Sequence, residues 1–168
     1  TTVMIGLLTK VNQKSKLKVA LLGCGRMGLQ HSRAIQKSGL RLLAVADPIR
    51  SCSEVIAKEW SQPHIPVIYE NLESLLSQEI PDLLVIATTA NNHISEAVKA
   101  VKAGVRLILT EKPLSTSLAS CDELNNLAQA SKVRVAVNHQ MRFLPQYTIP
   151  KKYLGTSEYS GFKSMIVS

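Results

Sequence analysis

Between residues 17 and 137 the chain alternates short apolar runs with longer stretches whose apolar positions recur at helical spacing. The runs Leu17 to Leu22, Leu42 to Ala46, Leu83 to Ala87, Val105 to Leu109 and Val133 to Val137 each hold at most one polar residue, as strands buried on both faces require; a shorter run stands at Val67 and Ile68. The stretches between them predict helices. The first runs from Arg26 to about Ser38 and is closed by Gly39, and the second from Ser51 to Trp60 with Val55, Ile56 and Trp60 facing inward. Asn71 caps a third, which carries Leu72, Leu75 and Leu76 inward and leaves Glu73 and Glu79 wet. Asn92 or His93 opens a fourth that continues through Lys102 to Gly104, and Ser117 to Ala130 forms a fifth. Strict alternation of strand and helix predicts an α/β fold, a doubly wound parallel sheet with strand order 3-2-1-4-5-6.

The first apolar run passes straight into Gly23-Cys24-Gly25-Arg26-Met27-Gly28, a G-x-G-x-x-G turn between a strand and a helix. Gly23 allows the tight turn, Gly25 has no Cβ to hold a pyrophosphate away from the backbone, and Gly28 lets helix and strand pack closely. The backbone N–H groups of the helix that begins at Arg26 and Met27 then face the phosphates, together with the positive end of the helix dipole. The second strand ends in Asp47, about 20 residues further on, where a carboxylate accepts hydrogen bonds from adenosine ribose hydroxyls and repels a 2′-phosphate. The combination predicts a dinucleotide site that takes NAD, while Arg50 keeps NADP open.

Bulk properties narrow the remaining classes. At 168 residues and 45% hydrophobic the chain can bury one full core. No apolar run is long enough to span a bilayer, and Val3 to Leu8 is too short for a signal-peptide core, so a cytoplasmic protein without membrane contact is expected. The formal charge of +8 raises nucleic-acid binding, but aromatic residues make up only 4% and provide few stacking platforms. A basic surface that attracts anionic cofactor and substrate accounts for the charge without nucleic acid. The three cysteines, Cys24, Cys52 and Cys121, are scattered and suggest neither a disulfide framework nor a metal site. Cys24, at a helix N-terminus, reads first as a small residue filling a variable position of the turn and second as a place where a thiol pKa could fall.

Ligands of doubly wound sheets lie beyond the carboxyl ends of the strands, which directs attention to the residues there. Thr88, Thr89, Asn91, Asn92 and His93 follow the fourth strand, and their small polar groups suit either ribose and phosphate contacts or helix capping; His93 could equally order this loop. Thr110-Glu111-Lys112-Pro113 follows the fifth. A lysine held there by the next proline can present its ammonium beside a nicotinamide and a reacting oxygen, although a charged surface turn has the same spacing. Glu111 could hold that position or pair with Lys112. Asn138, His139 and Arg142 follow the sixth strand, as candidate substrate contacts or as loop residues.

Taken in order, Gly23 to Gly28, Asp47-Pro48, Thr88-Thr89 with His93, Glu111-Lys112-Pro113 and Asn138-His139-Gln140-Met141-Arg142-Phe143 resemble the Gfo/Idh/MocA family of NAD(P)-dependent oxidoreductases of sugars, inositols and related polyols. The resemblance runs from about Lys18 to Pro145, and Glu111-Lys112-Pro113 is its most specific part. It implies that Lys112 lies at the active centre, hydrogen-bonding substrate and tuning its partner acid or base. It also implies cofactor contacts by Thr88, Thr89, Asn92, His93, Glu111 and Lys112 beside those of the glycine turn and Asp47. Thr89 stands where the family commonly has proline, and Ala90 where it often has Asn or Asp.

The same resemblance divides the chain into an extension (1–16), a dinucleotide-binding domain (17–145) and a linker with the first strand of a largely absent α+β substrate domain (146–168). The family places its catalytic histidine and oligomer interface in that second domain. The expectation is therefore the cofactor-binding portion of an oxidoreductase, inactive by itself, that moves hydride between nicotinamide and a sugar or polyol, with a homo-oligomer expected of the full-length protein. The alternative is an NAD(H)-binding regulator or scaffold without catalysis.

Overall fold

The computed structural model describes residues 17–148 apart from Pro63 and Tyr147. The expected extension at residues 1–16 and the expected first strand of the second domain, Gly161 to Ser168, lie outside the described residues. Six strands, β1 (Lys18–Leu22), β2 (Arg41–Ala46), β3 (Val67–Tyr69), β4 (Leu83–Ile86), β5 (Leu107–Thr110) and β6 (Arg134–Val137), form one sheet of order β3-β2-β1-β4-β5-β6, with every neighbouring pair parallel. Helices α1 (Arg26–Lys37), α2 (Arg50–Lys58), α3 (Leu72–Gln78), α4 (His93–Lys102) and α5 (Leu118–Ala130) make the crossovers. This is the doubly wound arrangement that the strand–helix alternation predicts. Among the described residues, no helix is long and apolar enough to cross a membrane.

Successive strand residues point to opposite faces, so the sheet has a core on each side. Val19 and Leu21 of β1, with Val85 of β4 and Leu109 of β5, pack against Ile35 of α1, Ile56 of α2 and Trp60. Ala20, Leu22, Leu84, Ile86 and Ile108 face the other way, onto Leu72 and Leu75 of α3, Ala97 and Val101 of α4 and Leu124 of α5. A fully buried leucine or isoleucine contributes about 1.5–3 kcal/mol, and both layers contain several. Asn71 caps α3 as expected: its side chain accepts from the Ser74 N–H at 2.8 Å, and Ser74 returns the bond in a capping box.

Two sequence expectations are corrected here. Val55 does not face inward; it is 52% exposed, and the buried positions of α2 are Ser53, Ile56 and Ala57. The fifth strand begins at Leu107 rather than Val105, because the Val105 N–H closes the end of α4 on the Ala100 carbonyl (3.0 Å).

Candidate functional site

The carboxyl ends of the strands converge on the turn from β1 to α1. Gly23 has φ +90°, and its N–H donates to the Ala46 carbonyl at 2.8 Å. A Cβ there would lie 2.6 Å from the Ala87 carbonyl carbon, and one on Gly28 would lie 2.0 Å from the Gly23 oxygen. Gly25, the N-cap of α1, is different: a Cβ there would meet nothing within 4 Å, so its backbone faces open space. The first turn of α1, with Arg26 exposed and Met27 half-buried, holds no acidic residue to oppose an anion. An exposed helix N-terminus beside a glycine without neighbours fits a pyrophosphate.

Asp47, just past β2, braces this turn. Its Oδ2 accepts from the Cys24 N–H at 2.7 Å and its Oδ1 from the Ile49 N–H at 2.8 Å. Beside it lies a cavity of about 220 Å³ lined by Asp47, Pro48, Arg50, Ile68, Tyr69 and Glu70. Arg50 is tied to Glu54 one helical turn on, at 3.0 Å. The Cys24 thiol is buried, accepts from Ser53 Oγ at 3.4 Å, and is pushed up to about 11 by burial rather than lowered by the helix N-terminus. Of the two sequence readings of Cys24, this buried neutral thiol agrees with the small residue filling the turn and not with the lowered thiol, because desolvation is the largest influence on it.

Beyond β4, Thr88 is half-buried and Thr89 and Asn92 are exposed, and neither Thr89 nor Asn92 caps its helix through a side chain. Capping therefore does not occupy these groups, which stay available to a ligand. His93 is buried at the start of α4, with Nδ1 2.7 Å from the Pro113 carbonyl and Nε2 3.1 Å from the Thr88 carbonyl. It links the loops after β4 and β5.

In the loop after β5 the structure resolves which role Glu111 takes. Its carboxylate does not pair with the Lys112 ammonium but turns into the protein, where Oε1 accepts from His31 Nε2 at 2.7 Å and from Asn138 Nδ2 at 2.6 Å. Burial pushes the Glu111 carboxyl up, yet the bonds from His31 and Asn138 outweigh it and hold the group below its ordinary value near 4.5. Lys112 is exposed at the rim, and among the described residues no carboxylate pairs with it. After β6, Asn138 is buried on Glu111, whereas His139 and Arg142 are exposed.

The turn glycines, Asp47, the Thr88–His93 loop and the Glu111–Lys112 turn thus share one end of the sheet. His31 was not among the sequence candidates. Its signal was its spacing: Gly28, His31, Ser32 and Ile35 form the buried stripe of α1, and a histidine on such a stripe needs a buried partner.

The Gfo/Idh/MocA family model, described as an oxidoreductase family with an NAD-binding Rossmann fold, matches residues 17–139. The chain is 30% identical over 162 residues to a scyllo-inositol 2-dehydrogenase (NAD(+)) of Bacillus subtilis, covering 88% of this chain and 44% of that protein. It is 28% identical over 148 residues to an inositol 2-dehydrogenase of Mycolicibacterium smegmatis, covering 86% and 42% of the two chains. Among solved structures, GenD2 from gentamicin A biosynthesis, crystallised with NAD, superposes with a TM-score of 0.78 over 86% of this chain and 40% of that one, at 23% identity; that likeness bears on the fold alone. The chain spans less than half the length of these relatives.

Proposed function

The chain belongs to the Gfo/Idh/MocA oxidoreductase family, and from that premise we propose that it is the NAD-binding part of a dehydrogenase acting on a sugar, inositol or related polyol. The observation that carries the reading is Gly25: an open backbone at the N-terminus of a twelve-residue helix, braced from β2 by Asp47. The N–H groups of that turn hold the pyrophosphate, and Asp47 accepts from the adenosine ribose. The cavity beside Asp47 receives the adenosine end, and Thr88, Thr89, Asn92 and His93 border the path toward Lys112. When bound, the nicotinamide supplies hydride transfer. Lys112 places its ammonium against the substrate oxygen that gains or loses charge, and that charge is available because among the described residues no carboxylate pairs with it. His139 and Arg142 lie at the same rim, exposed toward substrate hydroxyls. The inositol dehydrogenases among the relatives support a polyol as the substrate class.

The test is a titration of the chain with NADH and with NADPH, followed by nicotinamide fluorescence, on wild type and Asp47→Asn. Asparagine keeps one acceptor for the Cys24 N–H and removes the charge. Saturable NADH binding, weaker NADPH binding and a narrowed preference in Asp47→Asn are expected. Failure to bind either nucleotide would overturn the reading.

A further inference from the structure

Lys112 is held from both sides by buried histidines. On one side His93 approaches the Pro113 carbonyl at 2.7 Å. On the other, His31 and Asn138 meet the carboxylate of Glu111, the residue immediately before the lysine. Glu111 is only 5% exposed, and its backbone N–H donates to the Ile86 carbonyl at 2.9 Å, so both its main chain and its side chain are anchored. Its carboxyl is held below the ordinary range and accepts only, so His31 must donate from Nε2, which fixes the orientation of the imidazole. His31 belongs to α1, the helix whose first turn faces the proposed pyrophosphate position.

We propose that His31, through the Glu111 carboxylate it shares with Asn138, is a positioning residue for Lys112, tying the turn that presents the lysine to the helix that receives the dinucleotide. The proposal rests on the reading of Lys112 given above. A buried carboxylate is costly unless its oxygens are satisfied, and an apolar side chain would fill the same space at less cost. What the polar arrangement adds is direction. Oε1 is fixed by two donors, and Oε2 is left toward the Lys112 N–H at 3.4 Å. The lysine side chain then leaves the rim from a backbone that cannot rotate away, and it moves with α1 as one body.

The test compares His31→Leu, which removes the donor, with His31→Gln, whose amide can still donate to Glu111. Amide hydrogen exchange of the ligand-free chain is expected to rise about tenfold in the segment 111–117 of His31→Leu, to return toward wild type in His31→Gln, and to stay unchanged in β1 and β4. In parallel, His31→Leu is expected to bind ADP-ribose, which lacks the nicotinamide, as wild type does, while losing the extra affinity that wild type shows for NADH. Unchanged exchange in 111–117, or acceleration that spreads equally into β1 and β4, would overturn the proposal. If wild type binds neither ligand, the dinucleotide reading fails while the exchange result still decides the positioning role. Should His31→Leu not fold, Asn138→Ala removes the other donor to the same oxygen and is judged by the same local exchange.

Discussion

The Cys24 thiol lies in the glycine turn, between Ser53 and the end of β2, and its environment sets a measurable alkaline limit. Burial raises it from its ordinary value of 9.0 to about 11, with the Ser53 hydroxyl only partly offsetting. The folded chain therefore keeps the thiol neutral at a pH where the unfolded chain ionises it. Its contribution is complete below about pH 9 and is lost as the pH rises through about 11, for a total of roughly 2–3 kcal/mol. Denaturant titrations at pH 8 and pH 10.5 should show wild type losing more stability than Cys24→Ala over that interval. Equal losses would mean that ionisation at Cys24 is not coupled to folding. The thiol is also a poor nucleophile at neutral pH, so oxidation at this position is expected to be slow.

At the scale of elements, the β1–turn–α1 unit separates glycines that the fold requires, Gly23 and Gly28, from Gly25, which the protein itself leaves unconstrained and to which the proposed function gives the pyrophosphate. A Cβ on Gly28 would run into the Gly23 carbonyl, and Gly28→Ala is expected to cost about 3 kcal/mol or more. A Cβ on Gly25 would touch nothing in the protein, at a φ of −69° that any residue adopts, so Gly25→Ala should cost no more than about 1 kcal/mol, the loss of a favoured N-cap residue. It should nevertheless weaken NADH binding by about tenfold or more, because the methyl occupies the space the pyrophosphate needs. A melting curve and an NADH titration on the same sample check both halves. Wild-type affinity in Gly25→Ala would remove the pyrophosphate from this turn.

The same unit explains what was legible in the sequence. Strands buried on both faces read as nearly unbroken apolar runs, which made β1, β2, β4 and β5 legible; β3 and β6, which are partly exposed, were read from shorter or mixed runs between helical stretches, and the strand order from the strict alternation of strand and helix. Helix α2 misled because Val55 and Ile56 are adjacent and only one can lie on the inner stripe; Ser53 took an inward place because it donates to the Cys24 thiol. Glu111 was harder still. A glutamate next to a lysine reads as a surface pair, whereas its partner His31 is 80 residues away and meets it only once the sheet has formed.

For the whole molecule, the two ends of the sheet have different tasks, and Asp82 marks the end opposite the site. Its Oδ2 accepts from the Lys18 N–H at 3.0 Å, its Oδ1 from Arg106 Nη2 at 2.6 Å, and its backbone carbonyl from the Leu107 N–H at 3.1 Å. One residue thus joins the starts of β1, β4 and β5. Burial pushes its carboxyl up, but the bonds from the Lys18 N–H and Arg106 prevail and hold it below its ordinary value of 3.8. With the folded-state value depressed, its stabilisation is present above about pH 4 and is lost as the pH falls through the folded-state value. Asp82→Asn should therefore be less stable than wild type at pH 7 by about 1–3 kcal/mol, and the difference should shrink on acidification below pH 4. Its NADH affinity at pH 7 should equal that of wild type, the reverse of the pattern expected for Gly25→Ala. If Asp82→Asn weakened NADH binding without losing stability, the two ends of the sheet would not be independent, and the rim alone could not account for recognition of the dinucleotide.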